Sequence, residues 1–273
     1  YRCRLFWSLL CFDKKAYRLN LTPALIVAYR QFLSWRTNWR TFLLMRLAEP
    51  AIFFYGIGLG FAQFIPTING YPYVTYLLPG SVCLAAAFAG LFEGTYNAYS
   101  RCYMQRTWFS FLATPTRLWH IMVGEIAFNA TRNLLSTLLL IIVGLLAGVH
   151  LNLLGTLLAL PFIMLGVISI TAVGLVCMSF AKSMGDFDYL WAFFATPMMV
   201  FSGVMIDVHT FPAHIQALAW ALPLTHMLAI VRPLMLEGTL PLASFAAHTG
   251  VLIAITLVCL WFAHHRLTKA ILA

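Results

Sequence analysis

The sequence predicts an all-α membrane protein with six transmembrane helices. An interfacial amphipathic helix precedes the first span, and two short re-entrant outer helices precede the last. Three observations carry this reading. Of 273 residues 62% are hydrophobic and only 9% charged, with a mean hydropathy of +0.87, whereas soluble domains carry about 25% charged residues. Six segments approach the ~20 apolar residues that a helix needs to cross a ~30 Å hydrocarbon core. The basic residues, finally, collect on one side of those segments.

Residues 1–41 are read as a cytoplasmic N-terminal segment. The first 46 residues mix nine Lys or Arg with aromatics and contain no cleavable signal. The chain begins at Tyr1 and not at Met, which leaves room for residues upstream. Within this segment residues 22–41 predict a helix, with Thr22 as cap and Pro23 at its first position. Leu25, Ala28, Phe32, Trp35, Trp39 and Phe42 recur at three- and four-residue steps, as a helix lying in the membrane interface requires.

The transmembrane domain is placed at 42–264, with spans at about 42–64, 76–99, 120–148, 153–180, 189–206 and 247–264, and a tail at 265–273. Turn-like, uncharged PTINGYPYV and HLN separate the first and third pairs. Residues 207–246 are apolar but broken by Pro212, Pro223 and Pro233 into pieces too short to cross, hence two helices dipping in from outside. With six crossings, 15 of the 17 Lys and Arg fall on one side; Arg232 falls opposite, and Arg132 inside span three. The positive-inside rule then puts both termini in the cytoplasm.

Small residues recur at four-residue steps: Ala86, Gly90, Gly94 and Ala98 on span two, Gly56 and Gly60 on span one, Gly144 and Gly148 on span three. This spacing lets helices approach closely in lipid, within the chain or at a dimer interface, and packing within the chain is the expectation. GIGLGF lacks the third glycine of a dinucleotide fingerprint and lies in a span, so it binds no phosphate.

Much chemistry is excluded. The net charge of +9 flanks apolar spans instead of forming one solvated patch, which argues against nucleic acid. Six scattered cysteines form no CxxC pair, so neither a zinc site nor a disulfide framework is indicated. Asp186 and Asp188, His209 and His214, or His264 and His265 lack the further ligands a metal needs, and no Ser–His–Asp order stands out. Lys182-Ser183 lacks the glycines of a P-loop, so energy from ATP has to come from another polypeptide.

FEGTYNAYSRCYMQRTW (Phe92 to Trp108), then LATP, Gly124-Glu125, NATR (Asn129 to Arg132) and LPLTHMLAIVRPLMLEG (Leu222 to Gly238), resemble the permease subunits of type 2 ABC transporters. Within that family the chain looks like the nodulation protein J branch, which exports lipo-chitin oligosaccharides. The resemblance covers nearly the whole chain in order and spacing. It implies two copies of this chain forming the conduit, two copies of a cytoplasmic ATPase carrying ATP and Mg, no cofactor in the chain itself, a place in the cytoplasmic (inner) membrane, and an amphipathic glycan or lipid as cargo. Other readings are a drug or lipid exporter, a polytopic enzyme acting on lipid-linked substrates, and an ion-driven carrier, whose internal repeats are not evident.

On this reading residues 101–120 are the segment that couples to the ATPase, through Arg101, Gln105, Arg106, Trp108, Thr114 and Pro115. Three cations and several aromatics on a short surface helix suit docking into a groove; an ordinary interfacial loop is the competing account. Glu93 and Glu125 lie inside the cytoplasmic ends of spans two and three, with Arg132 deeper. Ionisable groups at that depth are costly unless paired, so they are expected to form an inward-facing cluster, either a gate or a contact for polar cargo. Arg46 and Glu49 are expected to pair likewise. Phe53, Tyr55, Phe92 and Tyr96 are candidates for a substrate path, with aromatic faces for sugar rings.

Overall fold

The computed structural model describes residues 22–65, 67–239 and 242–272; the side chains of residues 22, 42, 43, 45–47, 242, 243 and 272 lie outside that description. The basic segment before residue 22 is outside it too.

Helix α1 (Thr22–Thr37) carries two faces. Ala24, Val27 and Gln31, at helical spacing, are buried, whereas Leu25, Phe32 and Trp39 beyond it remain exposed. The buried face lies on Gly124, where an added Cβ would stand 2.5 Å from the Ala24 carbonyl oxygen. The apolar face found in the sequence is therefore the free one. Asn38 interrupts the helix and α2 (Trp39–Ala62) starts at once, so the break falls four residues before the expected boundary. Pro50 lies inside α2, where it removes one backbone donor.

Asn69 and Gly70, both at positive φ, turn a minimal hairpin of β1 (Thr67–Ile68) and β2 (Tyr71–Pro72). The Asn-Gly dipeptide suits such a turn. Sequence reasoning found the turn and not the strands. The next helix, α3, runs as Tyr73–Phe92 and widens into π-helical stretches at Glu93–Asn97 and Ser100–Met104. It continues to Met104, five residues past the expected end of span two. After a left-handed Arg106 comes the short α4 (Thr107–Leu112).

Helix α5 (Leu118–Leu146) stops at Gly148, whose φ of +81° suits a helix terminus. The side chain of Asn152 accepts from the Gly155 amide and caps α6 (Leu153–Met178). The next helix, α7, runs as Asp186–Leu190, widens at Trp191–Ala195 and ends as Thr196–Phe201. Two short helices follow, α8 (Ala213–Ala221) and α9 (Pro223–Leu236), bent by 89° at their junction. Long α10 (Leu242–Leu272) closes the described chain, so the residues assigned to a tail continue the helix.

Among the described residues four helices are long and apolar enough to cross a membrane, or five if the bent α8–α9 pair is one span. Helix α2 contributes a shorter apolar run, Ala48–Ala62. The first and fifth expected spans thus fall short by length or composition. Helices α3, α5, α6 and α9 share the main core, around Leu77, Leu78, Ile163, Val167 and Met227. Close approach comes from glycine: a Cβ on Gly94 would overlap the Thr171 carbonyl oxygen of α6, and one on Gly90 would stand 3.1 Å from that of Val167. Gly144 meets Leu78 in the same way. The expectation for Gly56 and Gly60 is corrected, because nothing lies within 4 Å of a Cβ at either.

Candidate functional site

Where α3 leaves the core it carries Glu93, almost completely buried, and α5 brings Glu125 to the same level. Arg101 bridges them, with Nη2 2.7 Å from Glu93 and also ion-paired to Glu125. Arg132 pairs with the second oxygen of Glu93. Two carboxylates and two guanidiniums therefore form one compact quartet, neutral in sum.

Neutral donors complete it. Asn97 donates to Glu93 at 2.7 Å, and both Gln31 of α1 and the Trp108 indole of α4 donate to Oε1 of Glu125, at 2.8 and 3.0 Å. From Arg132 the network continues through Asn129 to Thr171 of α6, whose hydroxyl accepts from Asn129 at 2.8 Å. One polar belt thus ties α1, α3, α4, α5 and α6 together inside an apolar body. A buried ion is tolerated when its remaining lone pairs and protons are satisfied; the belt supplies a partner to each carboxylate oxygen, whereas the buried Nε of Arg101 has none among the described residues.

Arg101 and Trp108 correct the sequence reading. Both were assigned to a docking surface, yet Trp108 is fully buried and the side chain of Arg101 is only 12% exposed. The Nη2 of Arg101 and the indole N–H of Trp108 are engaged within the quartet. Of the remaining docking candidates Gln105, Arg106, Thr114 and Pro115 are exposed. Met104 and Phe109, 65% and 39% exposed, join them on the surface.

The aromatic candidates separate. Phe53 and Phe92 line a cavity of about 300 Å³ between α2, α3 and α7, together with Phe88, Trp191, Ser81 and Glu49. Tyr55 packs edge-on to Phe54 and lies outside that lining. Tyr96 also lies outside it and donates to Asp188 at 2.7 Å. Tyr99 donates to the Lys182 carbonyl at 2.8 Å, so two tyrosines latch α3 to the first turn of α7 and to the loop ahead of it. Asp186 accepts from the Lys182 and Ser183 amides and the Ser183 hydroxyl, which hold its carboxyl below the usual range. Both aspartates of MGDFDY are thus engaged in local structure. The expected Arg46–Glu49 pair rests on an Arg46 side chain outside those described.

Two features escaped the sequence reading. Arg232, expected as a lone outer cation, is half-buried and donates to the Tyr76 hydroxyl and to the Gly203 and Val204 carbonyls at 2.8, 2.7 and 3.1 Å. The backbone after α7 is thereby pinned to α3 and α9. His226 and His248 share a 2.9 Å hydrogen bond between their Nδ1 atoms. Neither arrangement has a signature in residue spacing.

A family model described as ABC-2 type transporter matches residues 23–236. Nodulation protein J of Rhizobium leguminosarum bv. viciae is 33% identical over 229 residues, covering 84% of this chain and 87% of its own length. Nodulation protein J of Rhizobium meliloti (strain 1021) is 30% identical over 223 residues, 82% of this chain and 84% of its own. The protein of the same name from Bradyrhizobium diazoefficiens is likewise 30% identical over 223 residues.

Proposed function

The chain belongs to the ABC-2 type transporter family, as a transport subunit and not an enzyme, and from that premise we propose that it moves an amphipathic glycolipid, lipo-oligosaccharide or lipid-linked polysaccharide out across the cytoplasmic (inner) membrane. Membership implies a partner ATPase subunit. In this reading two copies of the chain form the conduit and two ATPase subunits dock beneath them, with ATP and Mg on the ATPase. Both termini face the cytoplasm, and α2, α3, α5, α6, α7 and α10 are the six spans. The exposed Gly56 and Gly60 edge of α2 is available to a second copy.

The observation that carries the mechanism is the bond from Trp108 to Glu125. Exposed Met104, Arg106 and Phe109 offer an ATPase groove an apolar and cationic ridge, while Trp108, beside Phe109 on short α4, reaches the quartet. Closure of the ATPases on ATP pushes this ridge. The push passes through Trp108 to Glu125, then by Arg101 and Glu93 to α3 and by Arg132 to α5. Because each ion is buried, the quartet moves as a unit or breaks at high cost, which makes it a lock between the surface segment and the spans.

The test is the chain copurified with its ATPase in lipid vesicles. ATP hydrolysis is expected to rise with an added glycolipid, and the glycolipid to reach the far leaflet only with ATP. Tags placed at Arg106 and at the C-terminus should be accessible from the same side; opposite sides would sink the scheme.

A further inference from the structure

The cavity between α2, α3 and α7 has a composition that the belt below it does not explain. Among the described residues its lining contains one ionisable residue, the exposed Glu49, and no Lys or Arg. Four rings, Phe53, Phe88, Phe92 and Trp191, make up its aromatic side, with Trp191 5.2 Å from Phe88 and 6.5 Å from Phe92 between centroids. Two of the three helices that present these rings widen there: the π-helical stretch of α7 starts at Trp191, and that of α3 starts directly after Phe92. Such widenings recur at functional sites and cost regular hydrogen bonding. The buried indole N–H of Trp191, moreover, has no protein acceptor among the described residues.

We propose that this cleft binds an amphiphile with a protonated or quaternary ammonium head, the head between Glu49 and the aromatic rings and the apolar body along Phe88, Phe92 and Leu84. The charge sign decides the ligand class. A carboxylate beside lipid is stabilised by a cation, and the faces of Trp and Phe attract the same cation. An anionic head would meet Glu49 unfavourably, and a neutral glycoside gains the stacking without the charge. About 300 Å³ is at the lower end of ligand pockets and holds such a head with part of its chain. The role of the ligand as cargo rests on the transporter reading; its binding does not.

The experiment measures saturable binding of radiolabelled dodecyltrimethylammonium, below its micelle concentration, to the chain–ATPase complex in nanodiscs of zwitterionic lipid without nucleotide. Dodecyl maltoside is expected to compete at least tenfold more weakly than unlabelled cation. Glu49→Gln should weaken the cation at least tenfold and leave the maltoside unchanged, and Trp191→Ala should weaken both, each with an unaltered thermal transition. Arg46→Gln should hold or raise the affinity. Equal competition by the two amphiphiles, an unaffected Glu49→Gln variant, or a tenfold loss in a folded Arg46→Gln variant would overturn the proposal. ATP-driven movement of a glycolipid in vesicles is scored separately, so failure of the cleft and failure of the transporter reading give different results.

Discussion

Arg101 of α3 is ion-paired with Glu125 of α5, and the same guanidinium nitrogen stands 2.7 Å from Glu93. One cation therefore holds two carboxylates on two helices, while Trp108 reaches the second carboxylate from the surface. Removing any member leaves an uncompensated charge, and the consequences differ by member.

Arg101→Gln strips Glu125 of its cationic partner and leaves it only neutral donors. A loss of about 3–5 kcal/mol is expected, read as unfolding in nanodiscs. The double variant Arg101→Gln with Glu125→Gln should be less damaged than the single one, because the orphaned charge goes too.

Exchanging Glu93 and Arg132 should not restore function. Arg at position 93 would face Arg101, so the swap repairs one pair and creates a like-charge contact. The neutral pair Glu93→Gln with Arg132→Gln, which leaves Arg101 on Glu125, is expected to recover more transport than either single variant. Equal recovery by the swap would show that Arg101 is not bound to Glu93.

Gly94→Val and Gly56→Ala are expected to part company. The first drives a side chain into the Thr171 carbonyl of α6, and overpacking costs about 1–3 kcal/mol or more. The second meets nothing within 4 Å, so protomer stability is kept, and helix propensity adds up to about 1 kcal/mol. Yield of folded protein after mild heating separates them.

Arg106→Glu and Trp108→Ala, two residues apart, should fail in different ways. Arg106 is exposed, so its reversal should reduce copurification of the ATPase severalfold with the thermal transition unchanged. Trp108 is fully buried, and its truncation is expected to cost about 3–5 kcal/mol of stability.

On the loop after α7 Asp207 accepts from the Asn69 side chain at 2.8 Å and from the His209 amide at 3.1 Å. Burial works to raise its carboxyl, but these bonds outweigh it and leave the group below its ordinary value of 3.8. A depressed carboxylate stabilises above the unfolded value and loses that contribution as pH falls through the folded one. Protection of the 67–72 hairpin from hydrogen exchange should therefore hold from neutrality down to about pH 4 and fade below it. Asn69→Ala should weaken it at every pH.

The apolar segments were readable because lipid imposes length and composition on each. The pairing of Glu93 with a cation was readable because charge inside such a segment demands a partner. Arg101 was not readable. At 3.6 residues per turn it would lie about 80° around α3 from Glu93, whereas one residue added by the π-helical stretch brings it back to within about 20°. The widening that aligns the two has no marker among the residue types of EGTYN. Trp108 misled for a related reason: indole at a membrane-facing loop reads as an anchor, and only the position of Glu125 on another helix turns it inward. Arg232 satisfies backbone carbonyls, which no sequence pattern announces.

The seating of α1 on Gly124 leaves no space between the two backbones, while Leu25 and Phe32 on its far side stay uncovered. If α1 lies at the bilayer surface, as the sequence predicts, its depth is not independent of α5. Lipids with shorter or longer chains would then lift or lower Leu25 and Phe32, and hydrophobic mismatch costs only fractions of a kcal/mol per Å. That displacement would reach the turn holding Glu125 as torque, and membrane thickness would become a setting of the transporter's energetics.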